Sequence, residues 1–523
     1  MPEIAIYDAT LRDGAQGEGI NFTVEDKIAI ALKLDELGVA YVEGGFPFSN
    51  EKDIAFFKQI KKRPLKTARV VAFGSTRRAK LTVEEDPGLA ALLAAGTKAV
   101  AVVGKSWDLH VRDVLRTSLE ENTAMIADTV RYLKSNGLEV IFDAEHFFDG
   151  YRHNQRYALC AVQAAREAGA DVIVLCDTNG GSLPSHVLAA TAATVKEIGG
   201  RIGFHGHNDS GMAVANSVTA VEAGATHVQG TINGLGERTG NADLCQVIPN
   251  LQLKLLRRCL PGENLTLLTE TSRFIYDVAN MPLAVSQPFV GRAAFAHKGG
   301  LHVDAVRKNP ATYEHIGPEE VGNERRLLLS ELSGSASLLE KMAMHKLTHD
   351  PKIMRQALKQ LQSLENVGYQ FEAAEASFAL LVRRMLGKEK RFFDFEGFRV
   401  IVEKRVFSPE AITEATIKIR VGEVEELCAS EGDGPVNALD RALRKALERF
   451  YPSLREMQLT DYKVRVINPS ASTAARVRVV IQSRDRDAMW GTVGVSENLI
   501  EASWQALVDS VVYKLTRDEE KAG

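Results

Sequence analysis

The chain has 523 residues, 45% hydrophobic and 25% charged, which suits about three globular domains and excludes a disordered or fibrous protein. Lys and Arg number 64 against 68 Asp and Glu, a net charge of -4 with no basic block, so nucleic acid and an anionic membrane surface are poor partners. No apolar run is long enough to span a membrane, the opening residues MPEIAIYDATLRDG lack a basic region followed by an apolar one, and the five cysteines form no CxxC; the expectation is a reduced, cytoplasmic protein without a secretion signal.

In chain order, eight short apolar runs alternate with longer helical patterns: IAIYDAT (4–10), YVEGGFP (41–47), RVVAFGS (69–75), AVAVVGKS (99–106), EVIFDAEHF (139–147), DVIVLCDTNG (171–180), RIGFHGHND (201–209) and HVQGTING (227–234). Each is rich in Val, Ile or Phe. Helical periodicity is plain at Leu244, Val247, Ile248, Leu251 and Leu255. Strands alternating with helices imply parallel pairing through right-handed crossovers. Eight units predict a (β/α)8 TIM barrel over residues 1–275, with an open doubly wound sheet as the other topology. Residues 276–390 read as a helical linker (337–347, 353–364 and 371–386). Residues 391–523 read as an α+β domain in which a ββα-like unit occurs twice, at 414–447 and 474–512.

A barrel predicts chemistry at the C-terminal ends of its strands. There lie Arg12 and Asp13, Asp143 and Glu145, Asp177 and Thr178, His205 to Asp209, and Gly234 to Asn241. His205 and His207 stand at i and i+2, so a strand projects both imidazoles to one face. With Asp13 they suit a divalent metal; the alternative is two core histidines satisfied by backbone. Arg12 suits a fixed cation where negative charge develops. Asp143 and Glu145 suit acid–base work or a structural ion pair with Arg12 or Arg152. Asn241 either faces the barrel mouth or caps the next helix. Phe73, Val103 and Asp143 are the expected pocket wall.

TLRDGAQ (10–16), HGHND (205–209), GLGERTGNA (234–242) and HKGGLHVDAV (297–306) together resemble the Asp-Arg-Glu TIM-barrel metallolyases. More narrowly they are similar to the Claisen-condensing branch, the 2-isopropylmalate, homocitrate and citramalate synthases. Within it, DATLRDGAQGEGI (8–20), YVEGGFPFSN (41–50) and NVGYQFEAAEASFALLVRR (366–384) resemble the longer citramalate synthases.

The resemblance implies a divalent metal ion held by Asp13, His205, His207 and Asn241. It implies Arg12 at the keto oxygen, Glu145 as the catalytic glutamate, Thr178 on the keto-acid carboxylate, and His302 reaching a partner subunit's site to help form the acetyl-CoA carbanion. The family's linker tyrosine has no counterpart in VGNERRLLLSELSG (321–334), and its role does not pass to nearby Tyr313. The implied substrates are acetyl-CoA and pyruvate, with 2-oxoisovalerate, the 2-isopropylmalate synthase substrate, as the alternative. A homodimer and isoleucine as an allosteric inhibitor at the C-terminal domain are implied too. A lyase of the family would carry a cysteine in the loop that here reads GLGERTGNA, and a retained barrel acting only as a sensor would have lost ligands that are all present.

Overall fold

The computed structural model describes residues 3–327 apart from 49 and 299, and 351–522 apart from 372–373, 405–410 and 468–474. The helix expected over 337–347 lies outside the described residues.

Eight parallel strands close into a barrel: β1 (Ala5–Asp8), β2 (Tyr41–Gly45), β3 (Arg69–Ser75), β4 (Ala99–Lys105), β5 (Glu139–Glu145), β6 (Val172–Asp177), β7 (Arg201–Gly206) and β8 (His227–Gly230). β8 pairs back onto β1 in the register Tyr7–Gln229 and Asp8–Gly230, so the open-sheet topology is excluded. Helices follow the strands in turn: α1 (Val24–Leu37), α2 (Glu51–Ile60), α3 (Pro87–Ala95), α4 (Leu119–Ser135), α5 (Phe147–Glu167), α6 (Pro184–Ile198), α7 (Ala213–Glu222) and α8 (Leu244–Pro249). Local chemistry agrees with these boundaries. The Thr23 hydroxyl accepts from the Asp26 amide while the Asp26 carboxylate accepts from Thr23, a reciprocal cap on α1. Gly38 ends α1 at φ 91°, a conformation that an added β-carbon disfavours.

The strands bury both faces. Outward residues such as Ile6, Val42, Val100 and Phe142 pack under the helices. Inward residues such as Tyr7, Val71, Ala101, Ile141 and Val174 form a separate core inside the ring. Toward the C-terminal ends, the interior turns polar. Asp143 on β5 accepts from Gln229 Nε2 on β8 at 3.0 Å, and because these strands are not neighbours the bond crosses the interior.

The first compact unit holds residues 1–295 and 314–325. Its last helix, α9 (Leu268–Val278), runs across position 275, and Phe289, Phe295 and Val321 belong to the same core. The second unit holds 296–313 and 326–523. It contains α10 (Gly300–Lys308), α11 (Pro351–Asn366) and α12 (Glu375–Met385). Two antiparallel three-stranded sheets follow, each with one helix. The first has β9 (Asp394–Glu403), β10 (Ile412–Val421), β11 (Val424–Gly432) and α13 (Pro435–Leu447). The second has β12 (Gln458–Val466), β13 (Val477–Arg484), β14 (Met489–Ser496) and α14 (Leu499–Ala522).

The duplication is present, but each copy is βββα rather than ββα. The strand that opens each copy, β9 or β12, is mostly exposed. Among the described residues no helix is long and apolar enough to cross a membrane.

Candidate metal-binding and catalytic site

The loop after β1 is built by its own polar side chains. Asp8 accepts from the Thr10 amide and hydroxyl, both at 2.9 Å, and the Thr10 hydroxyl in turn accepts from the Ile232 amide at 3.0 Å. The first strand end is thereby tied to the last. Burial pushes the Asp8 carboxyl up to about 7 against these hydrogen bonds.

Arg12 and Asp13 project from that loop. Arg12 Nε donates to Glu43 Oε2 at 2.7 Å, and its NH1 donates to Asp13 Oδ2 at 3.0 Å. Its guanidinium carbon lies 4.0 Å from the Phe73 ring centroid. Glu43 is fully buried and also accepts from the Tyr7 hydroxyl at 2.7 Å. Two carboxylate acceptors and a ring therefore fix one cation that would otherwise have many rotamers.

Asp13, His205 and His207 converge, all buried. His205 Nε2 and His207 Nε2 are 3.3 Å apart, and they lie 3.7 and 3.8 Å from Asp13 Oδ2. A point equidistant from three atoms so spaced is about 2.1 Å from each, the distance a first-row divalent ion takes from imidazole and carboxylate. Asn241 completes the cradle: its Nδ2 donates to Asp13 Oδ1 and to the Leu235 carbonyl, both at 3.0 Å, and its Oδ1 is buried with no protein partner. A buried acceptor left so costs about 1–3 kcal/mol unless something satisfies it.

The protonation states agree with this donor set. Burial, then neighbouring His207, lowers His205 to about 3, and burial lowers His207 as well. Burial alone would raise Asp13, but Arg12 and the two histidines hold its carboxyl well below the usual range. Two neutral imidazoles, one carboxylate and one amide oxygen fit a divalent ion of borderline hardness. Asn241 does not cap α8; that cap is Asp243, which accepts from the Cys245 amide at 2.9 Å.

Residues 3–275 match the HMGL-like family, residues 289–368 the homocitrate synthase post-HMGL domain-like family, and residues 372–515 the LeuA allosteric (dimerisation) domain. The (R)-citramalate synthase of Aquifex aeolicus is 55% identical over 99% of each chain, and that of Geobacter sulfurreducens 53% over 100% of this chain and 99% of its own. The chain belongs to the (R)-citramalate synthase family. A probable 2-isopropylmalate synthase of Methanopyrus kandleri is 32% identical over 98% of each chain.

Other site residues expected from the sequence in the first unit lie around the same barrel mouth. Glu145 ends β5 and pairs with Lys105 at the end of β4. Thr178 accepts from the His146 amide at 2.9 Å through Oγ1. Asp143 meets neither Arg12 nor Arg152, the partners considered from sequence: Arg152 pairs with Asp149, and Asp143 binds Gln229. Burial, then the Glu43 charge, pushes Asp143 up to about 8. Val103 pairs in register with Asp143. His302 sits exposed on α10 of the second unit, its ring centroid 4.3 Å from that of Tyr313.

Sequence reasoning missed Glu43 and Tyr7, which hold Arg12 in place. The available signal was a carboxylate within the apolar run YVEGGFP, where an unpaired charge would be costly.

Proposed function

We propose that the chain is a divalent-metal-dependent acyltransferase that condenses acetyl-CoA with pyruvate and hydrolyses the thioester product to (R)-citramalate and CoA. The observation that carries this reading is the 55% and 53% identity with (R)-citramalate synthases over essentially the whole chain.

In this reading Asp13, His205, His207 and Asn241 hold the ion. When bound, it supplies Lewis-acid polarisation of the keto oxygen and a template for the oxo acid. Thr178 receives the oxo-acid carboxylate; its Oγ1 already accepts from His146, so its own O–H is available to donate. Arg12, immobilised by Glu43, stabilises the negative charge that develops on the former keto oxygen as the carbon–carbon bond forms. Glu145 and His302, the latter from a partner subunit of a homodimer, serve removal of a methyl proton from acetyl-CoA. Phe73, Val103 and Asp143 bound the space for the oxo-acid side chain. One or two extra carbons in such a pocket change discrimination by about 1–3 kcal/mol.

The match of residues 372–515 to the LeuA allosteric (dimerisation) domain supports a dimer and an end-product site in the second unit. The proposed inhibitor is isoleucine, and the proposed compartment is the cytoplasm.

The test is free-thiol release from acetyl-CoA with pyruvate, 2-oxoisovalerate and 2-oxoglutarate, each with a divalent metal and with chelator. Chelator-sensitive release favouring pyruvate is expected. Preference for 2-oxoisovalerate would overturn the substrate assignment in favour of a 2-isopropylmalate synthase, and no release with any oxo acid would overturn the reaction. Isoleucine is expected to inhibit release and to raise the melting temperature; leucine acting alone would reassign that site.

A further inference from the structure

Arg238 lies in the Gly-rich loop after β8, three residues before Asn241. Its Nε donates to Asp209 Oδ1 at 2.8 Å and its NH2 to Asp209 Oδ2 at 2.9 Å, a two-point grip on one carboxylate. The same NH2 also donates to the Thr178 carbonyl oxygen at 2.8 Å. One guanidinium thus joins three barrel segments: the residue after β6 that faces the oxo acid, the stretch after β7 two residues beyond His207, and the loop that delivers Asn241.

The backbone is stitched along the same line. The Asn208 amide donates to the Gly240 carbonyl at 2.9 Å, His207 and Asn241 form an isolated bridge, and Ser210 donates its amide and hydroxyl to the Gly180 carbonyl. Arg238 makes these contacts from φ 57°, a left-handed conformation that its β-carbon disfavours. Strain held in this way marks a residue whose side chain the surroundings require in place. The neighbouring glycines of the loop could adopt that conformation freely, yet an arginine occupies it.

From this geometry we infer that Arg238 is a positioning residue that locks the oxo-acid receptor at Thr178 to the metal cradle at His207 and Asn241. Metal affinity and oxo-acid affinity then share one strut. The inference rests on the functional reading above for the identity of the oxo acid, but not for the metal cradle.

Arg238→Gly separates positioning from stability, because glycine takes the left-handed conformation without strain while removing the side chain that carries the guanidinium. Three measurements on the full chain read the result: Mn2+ dissociation constant by calorimetry, KM and kcat for pyruvate, and melting temperature. The expected outcome is a Mn2+ dissociation constant raised about fivefold or more and a pyruvate KM raised about tenfold or more, with a melting temperature close to that of the parent. Arg238→Lys keeps the charge but not the two-point grip, and recovers part of both losses. It also serves as the reading if the glycine variant fails to fold. Unchanged dissociation constant and KM would overturn the inference. So would a lowered melting temperature with both constants unchanged, which is the signature of a loop strut alone. If the parent chain releases no thiol with any oxo acid, the functional reading fails, and the Mn2+ measurement still decides the role of Arg238.

Discussion

Asn241, in the loop after β8, donates at 3.0 Å to Asp13, in the loop after the neighbouring β1 and 228 positions earlier in the chain. The amide NH2 is thereby committed to the carboxylate and to the Leu235 carbonyl, which leaves the buried amide oxygen as the free acceptor. The cradle is organised by its own members before anything binds.

Replacing Asn241 with Ala removes a candidate ligand and leaves Asp13 Oδ1 without its donor. We expect metal affinity to fall at least about tenfold, with a stability loss of about 1–2 kcal/mol. Calorimetric metal titration and thermal melting check the two effects separately. A variant that binds metal like the parent would reduce Asn241 to a hydrogen-bonding role.

Arg12→Ala is expected to remove about 3–4 kcal/mol of transition-state stabilisation, which takes turnover below detection in the thiol assay. The same change strips Glu43 of its cation. Glu43→Gln is the milder probe: it keeps an acceptor for Arg12 but loses the charge that fixes it. About 10–100-fold lower kcat is expected, with metal affinity nearly unchanged because Glu43 touches no member of the cradle directly.

Stability should depend on pH through Asp143. Its folded-state carboxyl titrates near 8 against an ordinary value of 3.8. A raised carboxyl retains its proton in the folded chain while the unfolded chain releases it. That contribution is complete below about pH 4 and is lost as the pH rises toward 8. Asp143→Asn removes the titration, so melting temperature in the variant should vary less between pH 4 and 8 than in the parent. An identical slope would assign the parent's dependence elsewhere, Asp8 being next in line at about 7.

Metal binding to the folded chain alone should also stabilise it. At a free ion concentration one hundred times the dissociation constant the gain is about 2.7 kcal/mol. Chelation is therefore expected to lower the melting temperature as well as abolish thiol release, and added Mn2+ should restore both.

Much of this was legible before the structure. The alternation of short apolar runs with helical patterns marked the eight strands, and the pair His205 and His207 stood out because strand spacing sends both to one face. What stayed hidden depends on contacts between segments remote in sequence. Glu43 reads as an interruption in an apolar run until Arg12 and Tyr7 are seen to close on it. Gln229 looks unremarkable in HVQG, yet it is the group that meets Asp143. Asn241 fitted a helix cap equally well by local chemistry, and only Asp243 taking that place settled the matter. In the second unit, β9 and β12 lie at sheet edges, but the alternation at Phe398, Val400 and Val402 and at Tyr462, Val464 and Val466 was there to be read.

The seam between β1 and β8, closed by Thr10 and Ile232, has a consequence for how the protein is made. The cradle draws its members from both ends of the barrel, Asp13 at the start and Asn241 beyond the final strand. A growing chain that has produced six strands holds one ligand, and even after seven it lacks the amide. The full donor set therefore cannot assemble before the barrel is complete, and affinity for the ion becomes a gauge of whether the ring has shut.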